Sequence, residues 1–111
     1  MANEMTLLSA LAGAGQTIMS MTQTGKTKRA VRKQDSIALQ EQIRFIKAAC
    51  RIRGVSELTR QGLDELEKTA QRIDQNRFSE GQLHMALELL NIQFRTVRYI
   101  IEHYDGGLID Q

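Results

Sequence analysis

The chain contains no proline and no tryptophan, and it has a single cysteine. Proline breaks helix interiors and punctuates turns, so its absence favours a few long helices joined by short loops. Aromatic residues are scarce, three Phe and two Tyr in 111 residues. The apolar set of Leu, Ile, Ala and Met therefore leans toward helix formers and away from strand formers. Cys50 alone cannot close an internal disulfide, so no oxidising compartment is required, and a cytoplasmic location is expected. Within Ile46-Lys47-Ala48-Ala49-Cys50-Arg51-Ile52 it reads as a small buried apolar residue.

A long hydrophobic run is also missing. Met5 to Gly25 carries no charge, yet Thr6, Ser9, Gln16, Thr17, Ser20, Thr22, Gln23 and Thr24 interrupt it. A hydrocarbon span needs about 20 predominantly apolar residues, so stable membrane insertion is not expected. The first charge is Glu4, and the positive residues follow the apolar stretch, the reverse of a secretory signal.

What is present is helical periodicity. A first segment, Glu4 to Met21, has apolar positions Met5, Leu7, Leu8, Leu11, Ala12, Ile18 and Met21 with small residues between them. Ser9 and Gly13, like Ala10 and Ala14, are four apart and share a face that admits a close neighbour. In a second segment Leu39, Ile43, Ile46 and Cys50 recur at helical spacing, with Asp35 or Ser36 as the expected cap and Gly54 as the stop. Ser56 is the expected N-cap of a third, carrying Leu63, Leu66, Ala70 and Ile73. On its other side Arg60–Asp64 and Asp64–Lys68 have four-residue pairing distance.

The fourth segment is the best defined. Ser79 and Gln82 form a capping-box pattern, and Phe78 and Leu83 a hydrophobic staple. Leu83, Leu87, Leu90, Phe94, Val97, Ile101 and Tyr104 then step by four and three until Gly106-Gly107. Met85, Leu89, Ile92 and Ile100 widen this apolar surface, which predicts two neighbouring helices to cover it. The fold class is therefore all-α: a small antiparallel bundle of three to four helices with a long C-terminal helix. Residues 1–25 are a charge-poor segment, helical or ordered by a partner, and 26–34 a basic linker. Residues 35–105 form the bundle core and 106–111 a tail.

Net charge is only +2, but it is unevenly placed. Residues 26–53 hold nine basic side chains against Asp35 and Glu41, whereas 54–111 hold six basic against ten acidic. Such asymmetry serves an anionic partner, an intramolecular match or head-to-tail association. On one continuous helix, Lys26, Arg29, Lys33, Arg44, Lys47 and Arg51 would fall within about 60° of each other. Lys28 and Arg32 extend the tract, and these eight residues are the candidate partner contacts. No aromatic residue precedes Phe45 there, so a platform for stacked bases is lacking.

Catalytic and cofactor signals are thin. Gly25-Lys26-Thr27 resembles the end of a phosphate loop, but Ser20 stands where that pattern needs glycine and no apolar strand precedes it. His84 and Glu88 share a helical face, and His103 neighbours Glu102 and Asp105. Two distant histidines and one cysteine make a poor metal set. Asp64, Glu65 and Glu67 read as a solvated acidic face. No enzyme, cofactor or metal site is expected. The leading expectation is a helical protein-interaction module, an adaptor, accessory or self-associating subunit, with Leu7, Leu8, Leu11 and Ile18 as its association face. The alternatives are a nucleic-acid-binding accessory protein using 26–53, and a membrane-surface or export-linked protein.

Overall fold

The computed structural model describes residues 6–27, 30–75 and 78–104. They form four helices: α1 (Leu7–Thr27), α2 (Lys33–Arg53), α3 (Glu57–Gln75) and α4 (Glu80–Tyr104). Each helix packs on its neighbours in a ring, α1 on α2, α2 on α3, α3 on α4 and α4 on α1. The pairings are antiparallel. Ser20 reaches Asp35, Gly13 lies beside Gln42, Lys33 meets Asp74 and Lys47 meets Asp64. This is the expected all-α bundle, and α1 completes it as a full member.

Three helices begin with a hydroxyl three residues ahead of the group it serves. The Ser79 backbone N–H donates to Gln82 Oε1 at 3.0 Å, and the Gln82 N–H donates to Ser79 Oγ at 3.3 Å. That is the reciprocal capping box expected from the sequence. Ser56 caps α3 by accepting the Thr59 N–H at 3.3 Å. Thr6 does the same for α1 with Ser9 as its reciprocal partner, a box the sequence reading missed because Ser replaces the usual Glu or Gln. Replacing Ser79 by alanine is expected to cost about 1 kcal/mol, with aspartate tolerated there. Urea denaturation of the two variants checks this, and equal stability of parent and alanine variant contradicts it.

Helix α2 departs from expectation. It starts at Lys33, with Arg32 as N-cap and no side-chain cap, while Asp35 sits inside the first turn and Ser36 is buried. Neither Asp35 nor Ser36 is the cap. Asp35 acts instead through Arg32, whose guanidinium approaches its carboxylate at 2.9 Å and donates to Ser20 Oγ at 2.7 Å. At the other end Gly54 adopts φ 72° and ψ 46°, a left-handed conformation that side chains disfavour. Its N–H donates to Cys50 O and Arg51 O, and the Val55 N–H donates to Cys50 O, closing a Schellman motif over the buried pair Cys50 and Val55.

The core takes Leu11, Ala14, Ile18 and Met21 from α1, and Leu39, Ile43 and Ile46 from α2. Leu63, Leu66 and Ala70 join from α3, and Leu87, Leu90, Phe94 and Ile101 from α4. Internal glycines each cost about 1 kcal/mol relative to alanine in a helix, yet α1 keeps Gly13, Gly15 and Gly25. Packing is what they permit. A Cβ on Gly15 would stand 3.2 Å from the Phe94 ring, and one on Gly25 only 2.6 Å from Leu87 Cδ1. The small-residue face that looked suited to close approach does bring α1 against its neighbours.

Candidate functional site

The chain reverses between α1 and α2, so residues 26–53 are not one helix and the continuous cationic stripe does not exist. Lys28 and Arg29 lie outside the described residues, as does the side chain of Lys26. Of the others, Arg32, Lys33, Arg44 and Lys47 pair at the surface with the molecule's own acids. Lys33 Nζ lies 3.0 Å from Asp74, Arg44 Nε 3.5 Å from Glu67, and Lys47 Nζ 2.8 Å from Asp64 and 2.7 Å from Glu67. Arg32 is held by Asp35 and Ser20. Three of the nine basic side chains of 26–53, Lys33, Arg44 and Lys47, thus form an α2–α3 ion-pair ladder. Asp64, Glu67 and Asp74 are its acidic side; Asp64 pairs across to α2 while staying as solvated as Glu65, and Arg60 pairs with Glu57 and Lys68 with Glu65. Arg51 is exposed and makes no ion pair among the described residues. It lines a recess of about 340 Å³ with Lys47, Cys50, Glu57, Arg60, Leu63 and Asp64, whose charges are already paired with each other or with Glu67.

Lys47 is the centre of the ladder. Hydrogen bonds from its ammonium to Asp64 and then Glu67 raise its pKa above 10.5, against a smaller opposing effect of burial. A cation whose folded pKa is raised stabilises the fold fully below its unfolded pKa and loses that contribution as pH climbs through the folded value. Lys47→Gln is therefore expected to cost about 1 kcal/mol at pH 7, the upper end for partly exposed pairs. The gap between parent and variant should close above the ordinary lysine range. A gap that stays constant from neutral to strongly alkaline pH contradicts the role assigned to the ammonium.

The remaining polar candidates are accounted for locally. His84 Nε2 meets Glu88 at 3.0 Å, and the His103 ring stacks on Tyr99 with centroids 4.1 Å apart. Among the described residues no group of three His, Cys, Asp or Glu side chains could hold a metal ion, and no helix is long and apolar enough to cross a membrane. Gly25-Lys26-Thr27 is the last turn of α1 and not a loop. Cys50 is buried and in no disulfide, a small core residue as its neighbours suggest.

The expected association face is corrected. Leu7, Leu11 and Ile18 are buried in the bundle core, where the small-residue α1 packs on α2 and α4; of the four only Leu8 is exposed. The open apolar surface lies elsewhere, on α4. Leu83, Leu87, Leu90, Phe94, Val97 and Ile101 face inward. A second row, Met85, Leu89, Ile92, Thr96, Tyr99 and His103, has the same alternation of four and three but is turned about 180° around the helix. Met85 is 72% exposed, Leu89 41%, Ile92 59% and Tyr99 57%. The neighbouring helices cover Ile100 at its flank but leave Met85, Leu89 and Ile92 open, so the expectation that two neighbours would cover them all fails.

Adjacent helices extend this face. Gly15 against Phe94 and Gly25 against Leu87 fix how α1 lies along α4. Leu8 and Met19 are within about 40° of Gly15 around α1, on its outer edge beside α4. Both are exposed. On the far side Gly62 backs onto Val97, and Leu58, one turn earlier in α3, is exposed next to that contact. The signal for this surface was in the sequence, as a second row with the core's own spacing. Spacing alone does not say which rows a neighbour covers, so by sequence this row is a widening of the core. Comparison with protein-family models, curated proteins and solved structures finds no match to this chain.

Proposed function

We propose that the chain is a non-enzymatic helical protein-interaction module whose docking face is the outer side of α4. The observation that carries this reading is the row Met85, Leu89, Ile92 and Tyr99, left exposed directly opposite the core row of the same helix. A contiguous apolar surface held open on a small domain is characteristic of interaction sites, and Met and Tyr are enriched in their centres. A solvated outer face needs none of these side chains, and the outer face of α3 carries Lys68 and Glu65 instead. Contact with nucleic acid is the weaker reading, since Arg32, Lys33, Arg44 and Lys47 are matched by acids of the same molecule. A cytoplasmic setting agrees with the single cysteine, buried and in no disulfide.

The test is site-specific photocrosslinking in cells. A benzophenone amino acid at Ile92 is expected to give a discrete covalent protein adduct, whereas the same probe at Lys68 gives none. No adduct at Ile92, or the same adducts at both positions, overturns the assignment.

A further inference from the structure

We infer that the occupant of this face is a second copy of the chain, docked α4 against α4 in antiparallel register about a twofold axis. The inference rests on the docking-face reading above and adds the identity and orientation of the partner.

The argument comes from the charges beside the apolar row. With Met85, Ile92 and Tyr99 at one set of seam positions and Leu89 and Thr96 at the alternate set, Glu88 and Arg95 fall on the same flank, one heptad apart. In an antiparallel pair this flank meets its own symmetry copy. Placing Leu89 opposite Ile92 of the second copy sets Met85 opposite Thr96. The same register sets Glu88 opposite Arg95, and the twofold axis repeats each contact. Two apolar layers are then bracketed by two identical ion pairs. A slip of one heptad brings Glu88 against Glu102 and Arg95 against itself, both repulsive. A parallel pair sets Glu88 against Gln93 and Arg95 against Ile100, which offer no charge. Antiparallel packing also opposes the two helix dipoles favourably.

The present partners of these side chains leave them available. Arg95 is exposed and makes no ion pair among the described residues, while Arg98, its neighbour, is engaged by Glu102 at 3.3 Å. Glu88 is largely exposed and meets only the exposed His84 among the ion pairs of the described residues. A self-complementary patch in which one position meets another reciprocally is what an isologous dimer requires. The seam from Met85 to Tyr99 spans about 21 Å of helix, and Leu8 and Met19 widen it on one edge and Leu58 on the other.

Sedimentation equilibrium of the purified full chain over a concentration series reads the assembly directly. The parent is expected to fit a monomer–dimer equilibrium. Ile92→Glu, at an exposed position, should keep the circular-dichroism helicity and raise the dissociation constant at least about a hundredfold by placing a charge in the seam. Glu88→Arg and Arg95→Glu should each weaken the dimer about tenfold, and the double exchange E88R/R95E should restore it toward the parent value. A parent that stays monomeric overturns the second-copy inference; the docking-face reading then stands or falls separately on the Ile92 crosslink. A dimer indifferent to Ile92→Glu, a mass that grows without closing, or a double exchange no better than the single ones also overturns the proposed arrangement.

Discussion

Leu90→Ala is expected to cost 2–5 kcal/mol and Phe94→Ala 3–5 kcal/mol, by the usual scale of large-to-small core changes. Leu90 is fully buried at the middle of α4, and Phe94 is 4% exposed one turn later. Both belong to the core row that α1 and α3 pack against, so their removal empties space that no single helix can refill. The Phe94 ring also lies over Gly15, where α1 has no side chain of its own to move into the gap. A loss of this size is a large share of the stability of a typical domain, roughly 5–15 kcal/mol in total. Guanidinium denaturation followed by circular dichroism measures it. A loss below about 0.5 kcal/mol for both variants contradicts their place in the core.

The second large effect runs against helix propensity. Gly62 lies within α3, where alanine alone would gain about 1 kcal/mol. Its Cα backs directly onto α4: an added Cβ would stand 2.6 Å from Val97 Cγ2 and 3.8 Å from Val97 Cβ. Valine is β-branched and stiff in a helix, and Val97 is only 1% exposed, so it has no rotamer to retreat into. The two helices must move apart. Gly62→Ala is therefore expected to destabilise by about 1–3 kcal/mol, the range for overpacking. In a Val97→Ala background the short contact is gone and only the ordinary 3.8 Å contact remains. There the same substitution should become neutral or stabilising by up to about 1 kcal/mol. Thermal unfolding of the four members of this cycle yields the coupling directly. Stabilisation by Gly62→Ala with Val97 intact, or the same effect in both backgrounds, contradicts the close approach of α3 and α4.

Much of this architecture was legible in local chemistry. The four-three spacing from Leu83 to Ile101, the Ser79–Gln82 box, the Ser56 cap and the Gly54 stop each depend on residues within one or two turns of each other. Each appears in the fold where the pattern placed it. The all-α class followed from the same short-range rules together with the missing proline. Tyr104 is the exception in its row: it keeps the spacing but is 73% exposed at the last residue of α4. The Gly106-Gly107 stop lies outside the described residues.

The candidate sites were less legible because they depend on what covers what. Leu7, Leu11 and Ile18 looked available since α1 has an apolar face with no partner in its own sequence. α2 and α4 supply that partner, at the close distance that Gly13, Gly15 and Gly25 allow. Lys33, Arg44 and Lys47 looked like a cationic surface because charge counted along the chain ignores Asp64, Glu67 and Asp74 some twenty to forty residues away. Asp64 was assigned to Arg60 and Lys68 by its spacing, and instead reaches across to α2.

Helical period and capping act within a few residues, and they predicted three to four helices, the Ser56, Ser79 and Gly54 ends, and a wide apolar surface on α4. Which row of α4 is core and which is surface depends on the helices packed beside it. Antiparallel packing of α1 and α3 on α4 can bury one side of a helix and its flanks but not the side facing away. That geometry turned Leu7 and Leu11 inward, set Lys33, Arg44 and Lys47 against the acids of α3, and left Met85, Leu89, Ile92 and Tyr99 facing out.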